Sequence, residues 1–193
     1  MKKFLFIVVA AMTATLSVNA QNDEPKDEIG VFYGIGTVSN LISDIASAFT
    51  FDPENQTGYW GSIGVEYFHH VTKVVAVGAV AEIAGCKWDE KNTSDGSLSS
   101  TYISFMPSVK FNWLRKDHFG MYSGLSAGIM LASLRASGDF KNDPDVEDPD
   151  ETVTSFMFNV TALGAEYGNT FRGFAELGFG EKGIICLGLR YRF

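Results

Sequence analysis

The sequence predicts an all-β fold, an eight-stranded antiparallel up-and-down transmembrane β-barrel, and three observations predict it. Large apolar residues alternate with small or charged ones at a period of two over eight stretches. The apolar side of these stretches is nearly continuous, while the opposite side holds Gly, Ser and isolated charges, the reverse of a water-soluble sandwich. The connections between stretches also alternate between long and short.

Composition bounds the reading from the other direction. A chain of 193 residues, 46% hydrophobic and 20% charged, is long enough for one domain with a real core. Its net charge of −8 argues against nucleic acid, whose phosphates call for clustered Lys and Arg. Two cysteines make no disulfide scaffold and have no paired spacing for zinc.

The first element is an address. Met1-Lys2-Lys3 is a short basic region, Phe4–Ala11 an apolar run, and Val18-Asn19-Ala20 a small-residue site before Gln21. That order predicts a cleaved secretory signal peptide over 1–20, since the run is short for a spanning helix. A short tail over 21–28 follows, and the barrel occupies 29–193. Beyond the leader, the longest apolar run, Val74–Gly85, is interrupted by Glu82.

The strands are predicted over 29–37, 59–67, 74–85, 101–113, 119–134, 153–167, 171–180 and 185–193. The last shows the pattern best, with Ile185, Leu187, Leu189, Tyr191 and Phe193 set against Cys186, Gly188, Arg190 and Arg192. The stretch 101–113 sets Ile103, Phe105, Pro107, Val109, Phe111 and Trp113 against Tyr102, Ser104, Met106, Ser108, Lys110 and Asn112. In 59–67, Tyr59, Ile63, Val65 and Tyr67 oppose Trp60, Ser62, Gly64 and Glu66. The polar side belongs inside. Slipping every strand by one residue would put Glu66, Glu82, Lys110, Glu176 and Arg190 against lipid, at a cost on the order of 10 kcal/mol.

Long connections are predicted near 38–57, 86–98 and 137–152, and short ones at His69–Lys73, Arg115–His118, Gly168–Thr170 and Glu181–Gly183. Outward aromatics divide into two bands: Tyr33, Tyr67, Trp113, Phe119, Phe171, Tyr191 and Phe193 at the turn side, and Tyr59, Phe156 and Phe179 at the loop side. In the first long connection, Leu41, Ile42, Ile45, Ala46 and Phe49 recur at helical spacing behind Ser39-Asn40, which predicts a short amphipathic helix over Ser39–Phe51. It would lie across the barrel mouth or the membrane interface, or else bind a partner. The third long connection carries seven acids and one lysine over Ser137–Thr152, a solvated acidic loop or a weak divalent-cation site. Asn55-Gln56-Thr57 and Asn92-Thr93-Ser94 match the glycosylation triplet by accident.

The ending Gly188-Leu189-Arg190-Tyr191-Arg192-Phe193 resembles the C-terminal assembly signal of outer-membrane barrels, with Gly188, Tyr191 and the terminal Phe193 in the characteristic places. Cys186 departs from it, where a polar residue is usual. With the leader and the eight strands, the whole mature chain resembles the OmpX/OmpA-like small barrels, the porin-family outer-membrane β-barrel domain. That resemblance implies a Gram-negative outer membrane, insertion by the barrel assembly machinery, surrounding phospholipid and lipopolysaccharide, a monomer, no cofactor and no catalytic activity.

The candidate site is the lumen. Inward Glu66, Glu82 and Glu176 face inward Lys110, Arg172, Arg190 and Arg192, a set that either fills an eight-stranded interior with paired charges or switches to gate an ion path. Acid–base chemistry by the carboxylates is a third possibility. All three histidines, His69, His70 and His118, fall at turns, with no serine spaced as a nucleophile beside them. Cys86 and Cys186 both point inward on strands three apart, too far for a bridge, so free thiols are expected. Three functions compete: a non-catalytic barrel presenting surface loops for interaction or envelope integrity, a narrow passive pore for ions or small solutes, and a soluble ligand-carrying barrel. Inward Gly and Ser favour an open lumen, whereas Phe32, Trp60, Phe68, Tyr102, Met106 and Phe174 would plug it.

Overall fold

The computed structural model of the chain describes residues 26–39, 57–89, 97–137 and 152–193. The leader, the helix expected beyond Ser39 and most of the acidic loop lie outside them, as do the side chains of 57–59, 86–89, 97–100 and 134–137. Eight strands run in chain order: β1 (Asp27–Ile35), β2 (Thr57–His70), β3 (Val75–Asp89), β4 (Ser97–Arg115), β5 (Phe119–Ser137), β6 (Thr152–Gly168), β7 (Phe171–Gly180) and β8 (Ile185–Arg192). Each pairs antiparallel with its neighbours, and β1 closes on β8, so no edge remains.

The closing seam runs from Glu28↔Arg192 to Ile35↔Ile185. At its foot Asp27 N–H donates to the Phe193 carbonyl at 3.1 Å, and Phe193 N–H donates back to Asp27 at 2.9 Å. The terminal aromatic is therefore part of the closure. Tight turns at 71–74, 116–118 and 169–170 join strands at this end. The first is fixed by Thr72, whose Oγ1 accepts from Val74 N–H at 3.2 Å and Val75 N–H at 2.9 Å. The longer connections, and the short β7–β8 turn, stand at the other end.

Alternation becomes sidedness. In β1, Ile29, Val31, Tyr33 and Ile35 face outward while Glu28, Phe32 and Gly34 face the barrel axis. Away from the strand ends, every Asp, Glu, Lys and Arg whose side chain is described faces inward. The core lies inside the wall: Phe32, Val80, Met106, Met130, Met157, Phe174 and Cys186 form one cluster, with Tyr102 and Ala132 packed against it. Cys186 is a buried free thiol.

Bulges correct the strict alternation at several places. Between Tyr59 and Ser62 the β2 register shifts against β3, where Gly61 takes φ +87°, a conformation that favours glycine. The shift turns Trp60 outward, 37% exposed, over Gly85, so it does not plug the lumen as its parity suggested. Tyr33 also lies at the loop side, not the turn side, with its hydroxyl donating to the Trp60 carbonyl at 2.8 Å. Another irregularity, at Thr161/Leu163, inverts the phase of β6 and brings Glu166 inside.

Candidate functional site

All seven residues singled out as a lumen charge set are inward and no more than 5% exposed. The structure joins six of them and adds Glu28, His70, Glu166 and Lys182. Near the turn end, Glu28 pairs with Lys110 and accepts from Arg192 Nε at 3.2 Å. His70 Nε2 stands 3.2 Å from the same carboxylate, at ion-pair distance but without hydrogen-bond alignment. One step deeper, Glu166 accepts from Arg172 Nη1 at 3.3 Å, from Arg190 Nη1 at 3.0 Å and from Arg192.

Arg190 is the hub. Its Nε donates to Glu66 and its Nη2 to Glu176 at 2.9 Å, in addition to the bond to Glu166. A planar guanidinium with five donors serves three carboxylates in directions fixed by its geometry. The guanidinium lies 3.8 Å from the ring centroid of Phe174 and 4.7 Å from that of Tyr122, so aromatic faces cover it where no acid does.

Lys182 continues the column from the loop end. It belongs to the β7–β8 turn, yet its Nζ donates to Glu66 at 3.0 Å and to Glu176 at 2.6 Å inside the barrel. The turn is held in place by Ser62 Oγ donating to the Lys182 carbonyl at 3.1 Å, and by Lys182 N–H donating to Asn159 Oδ1 at 3.2 Å. Gly183, at φ +105°, makes the tight return possible. Burial works against the Lys182 ammonium, but Glu176 and Glu66 outweigh it and hold the group above the ordinary lysine range. Its neighbour Glu181 accepts from Ser39 Oγ at 2.8–2.9 Å; burial lifts its carboxyl above the usual value, and the Ser39 bonds only partly oppose that.

Tyr122 O–H at 2.7 Å and Thr161 O–H at 3.3 Å complete the shell of Glu176. Glu82 is the exception: both its oxygens are buried without a hydrogen-bond partner, and Ser104 Oγ beside it in the β3–β4 register also has none. Rings fill the space beside three of the inward glycines. Phe32 lies over Gly64, Tyr122 over Gly164 and Phe174 over Gly188, each ring occupying the place a Cβ would need. Chemically, the interior is a continuous set of alternating charges walled by rings. Among the described residues, no three of His, Cys, Asp and Glu converge to hold a metal.

The turn end of the barrel opens into a cavity of about 540 Å³, lined in part by Lys73, Trp113, Arg115, Lys116, Arg172 and Arg192. The assembly-signal residues sit on the closing strand: Gly188 under the Phe174 ring, and Tyr191 outward against Phe171 at 4.9 Å and Phe193 at 5.8 Å.

No family model and no curated protein matches the chain. Among solved structures it is similar to Ail, the attachment invasion locus protein of Yersinia pestis, at 13% identity and a TM-score of 0.45, over 88% of this chain and 99% of that one. Ail in complex with the heparin analogue sucrose octasulfate gives 13% identity and a TM-score of 0.47, over 88% and 98%. The N-terminal beta-barrel domain of Pseudomonas aeruginosa OprF gives 16% and 0.41, over 88% and 98%. At these values the likeness bears on no function, and the closed barrel stands on its own strand registers. Eight antiparallel strands closed by β1 and β8 are the architecture of the OmpX/OmpA-like small barrels that the sequence resembles.

Proposed function

We propose that the chain is an integral outer-membrane β-barrel protein without catalytic activity, which holds its longer connections outward for surface interaction or envelope integrity. The observation that carries this reading is the inversion of the barrel. Its outer wall is apolar from strand to strand, and the charges of its strand interiors are inside. Lys or Arg facing lipid at mid-depth costs roughly 2–4 kcal/mol, so a charge-free outer wall is what a bilayer requires and what water does not. Seven of the eight strands, of 9 to 19 residues, have the length a tilted strand needs to cross a hydrocarbon layer. Export through a cleaved leader, insertion by the assembly machinery and contact with lipopolysaccharide belong to the same reading.

The filled, ion-paired interior supports a structural barrel over the passive pore. Membrane fractionation and heat-modifiable gel migration test the reading. The chain should sediment with outer membranes, resist extraction by alkaline carbonate, and migrate faster unboiled than boiled. A carbonate-soluble chain with no gel shift would overturn it.

A further inference from the structure

We infer that the basic cavity at the turn end of the barrel binds the phosphate group of an anionic phospholipid. The proposal rests on the membrane reading above and goes beyond it by assigning a site. Five cations, Lys73, Arg115, Lys116, Arg172 and Arg192, line the cavity against a single carboxylate, Asp117. This concentration runs against the sign of the whole chain, which carries a net charge of −8. Behind the cavity stand Glu28 and Glu166, but Lys110 and Arg190 share them with Arg172 and Arg192.

The walls are built rather than loose. Arg172 spans three segments: Nε donates to the Asn169 carbonyl at 3.1 Å, and Nη2 donates to the carbonyls of Lys116 at 3.2 Å and Asp117 at 2.6 Å. Asn112 Nδ2 donates to the Val74 carbonyl at 3.3 Å, tying the β2–β3 turn to β4. Arg172 thus fixes the frame, and Lys73 and Lys116, both exposed, line the opening with the half-buried Arg115, whose Nη1 lies 3.5 Å from His70 Nδ1. A volume of about 540 Å³ falls within the range of small-molecule sites. Two ammonium groups and a guanidinium around one opening suit a phosphate, which accepts several charge-assisted hydrogen bonds at once.

The rim selects the lipid over free phosphate. Trp113 and Val74 line the same cavity and are 56% and 55% exposed. A headgroup phosphate entering the mouth would leave its acyl chains against these residues and the apolar outer wall beyond them, whereas inorganic phosphate gains nothing there.

The test uses the chain refolded in an uncharged maltoside detergent, with gel shift as the folding control. Dihexanoyl phosphatidylglycerol, dihexanoyl phosphatidylcholine and inorganic phosphate are titrated separately by calorimetry. Phosphatidylglycerol should bind at least tenfold more tightly than either of the others. Lys73→Gln, Arg115→Gln and Lys116→Gln together should weaken it at least tenfold and Lys116→Gln alone about threefold, whereas Lys26→Gln, outside the cavity, should leave it unchanged. Equal affinity for inorganic phosphate would overturn the lipid assignment. Equal lipid binding by wild type and the triple variant, with both gel-shifted, would overturn the site while leaving the membrane reading intact. A wild-type chain that never acquires the gel shift would overturn both.

Discussion

Arg190 bonds three carboxylates at once, and its loss would leave Glu66, Glu166 and Glu176 each short of a partner in a closed interior. Breaking a buried pair from one side costs about 3–5 kcal/mol, because the remaining charge has no water to turn to. Arg190→Met should therefore lower stability by at least that amount, read as the midpoint of urea unfolding in lipid vesicles. Glu82→Gln should leave the midpoint unchanged or raise it, since it removes a buried carboxylate that has no partner. Gly188→Val would drive a side chain into the Phe174 ring, and overpacking of that kind costs about 1–3 kcal/mol in the same measurement. Much of this residue-level detail was legible: parity alone placed Glu66, Lys110, Glu176, Arg190 and Arg192 inside. Four partners were not. Glu28 precedes the point where alternation becomes regular, His70 reads as part of a turn but ends β2, Lys182 sits in a turn that reads as solvent-facing, and Glu166 has the wrong parity until the bulge before it is known. The adjacent apolar pair Ala162-Leu163, followed by Ala165 and Tyr167 around Glu166, is the signal that could have revealed the phase change.

At the scale of elements, strand existence and order follow from alternation and connection length, while the bulges do not. A bulge costs one unpaired residue and no change in composition, so parity assigns Trp60 the wrong face; Tyr33 lies at the loop side for a different reason, its place near the end of β1. The β7–β8 turn shows a similar limit. Its three-residue core looks like any surface turn, yet backbone bonds to Ser62 and Asn159 bring it over the mouth and send Lys182 down to Glu66 and Glu176. The β1–β8 seam carries a prediction of its own. Phe193 closes it through both of its backbone groups to Asp27 and stacks with Tyr191 on the outer face. Phe193→Ser should lower the amount of chain in the membrane fraction severalfold, whereas deleting 141–149 from the acidic connection should not. Equal membrane levels of the two variants would contradict the roles given to those regions.

For the molecule as a whole, the balance of inside and outside decides the reading. A period of two with the charges on one face could be folded either way, and the energy of exposed charges selects the inverted barrel. The sequence could not decide whether small inward residues leave a passage. Rings crossing from neighbouring strands lie over Gly64, Gly164 and Gly188, and an ion-paired column runs from Glu28 to Lys182, so what read as space is occupied. A membrane barrel with an occupied interior should not conduct, and single-channel recording of the refolded, gel-shifted chain in a planar bilayer is the test. The membrane should stay quiet, with no steady current steps; reproducible ion-selective steps from the wild-type chain would show an open passage and overturn the closed interior.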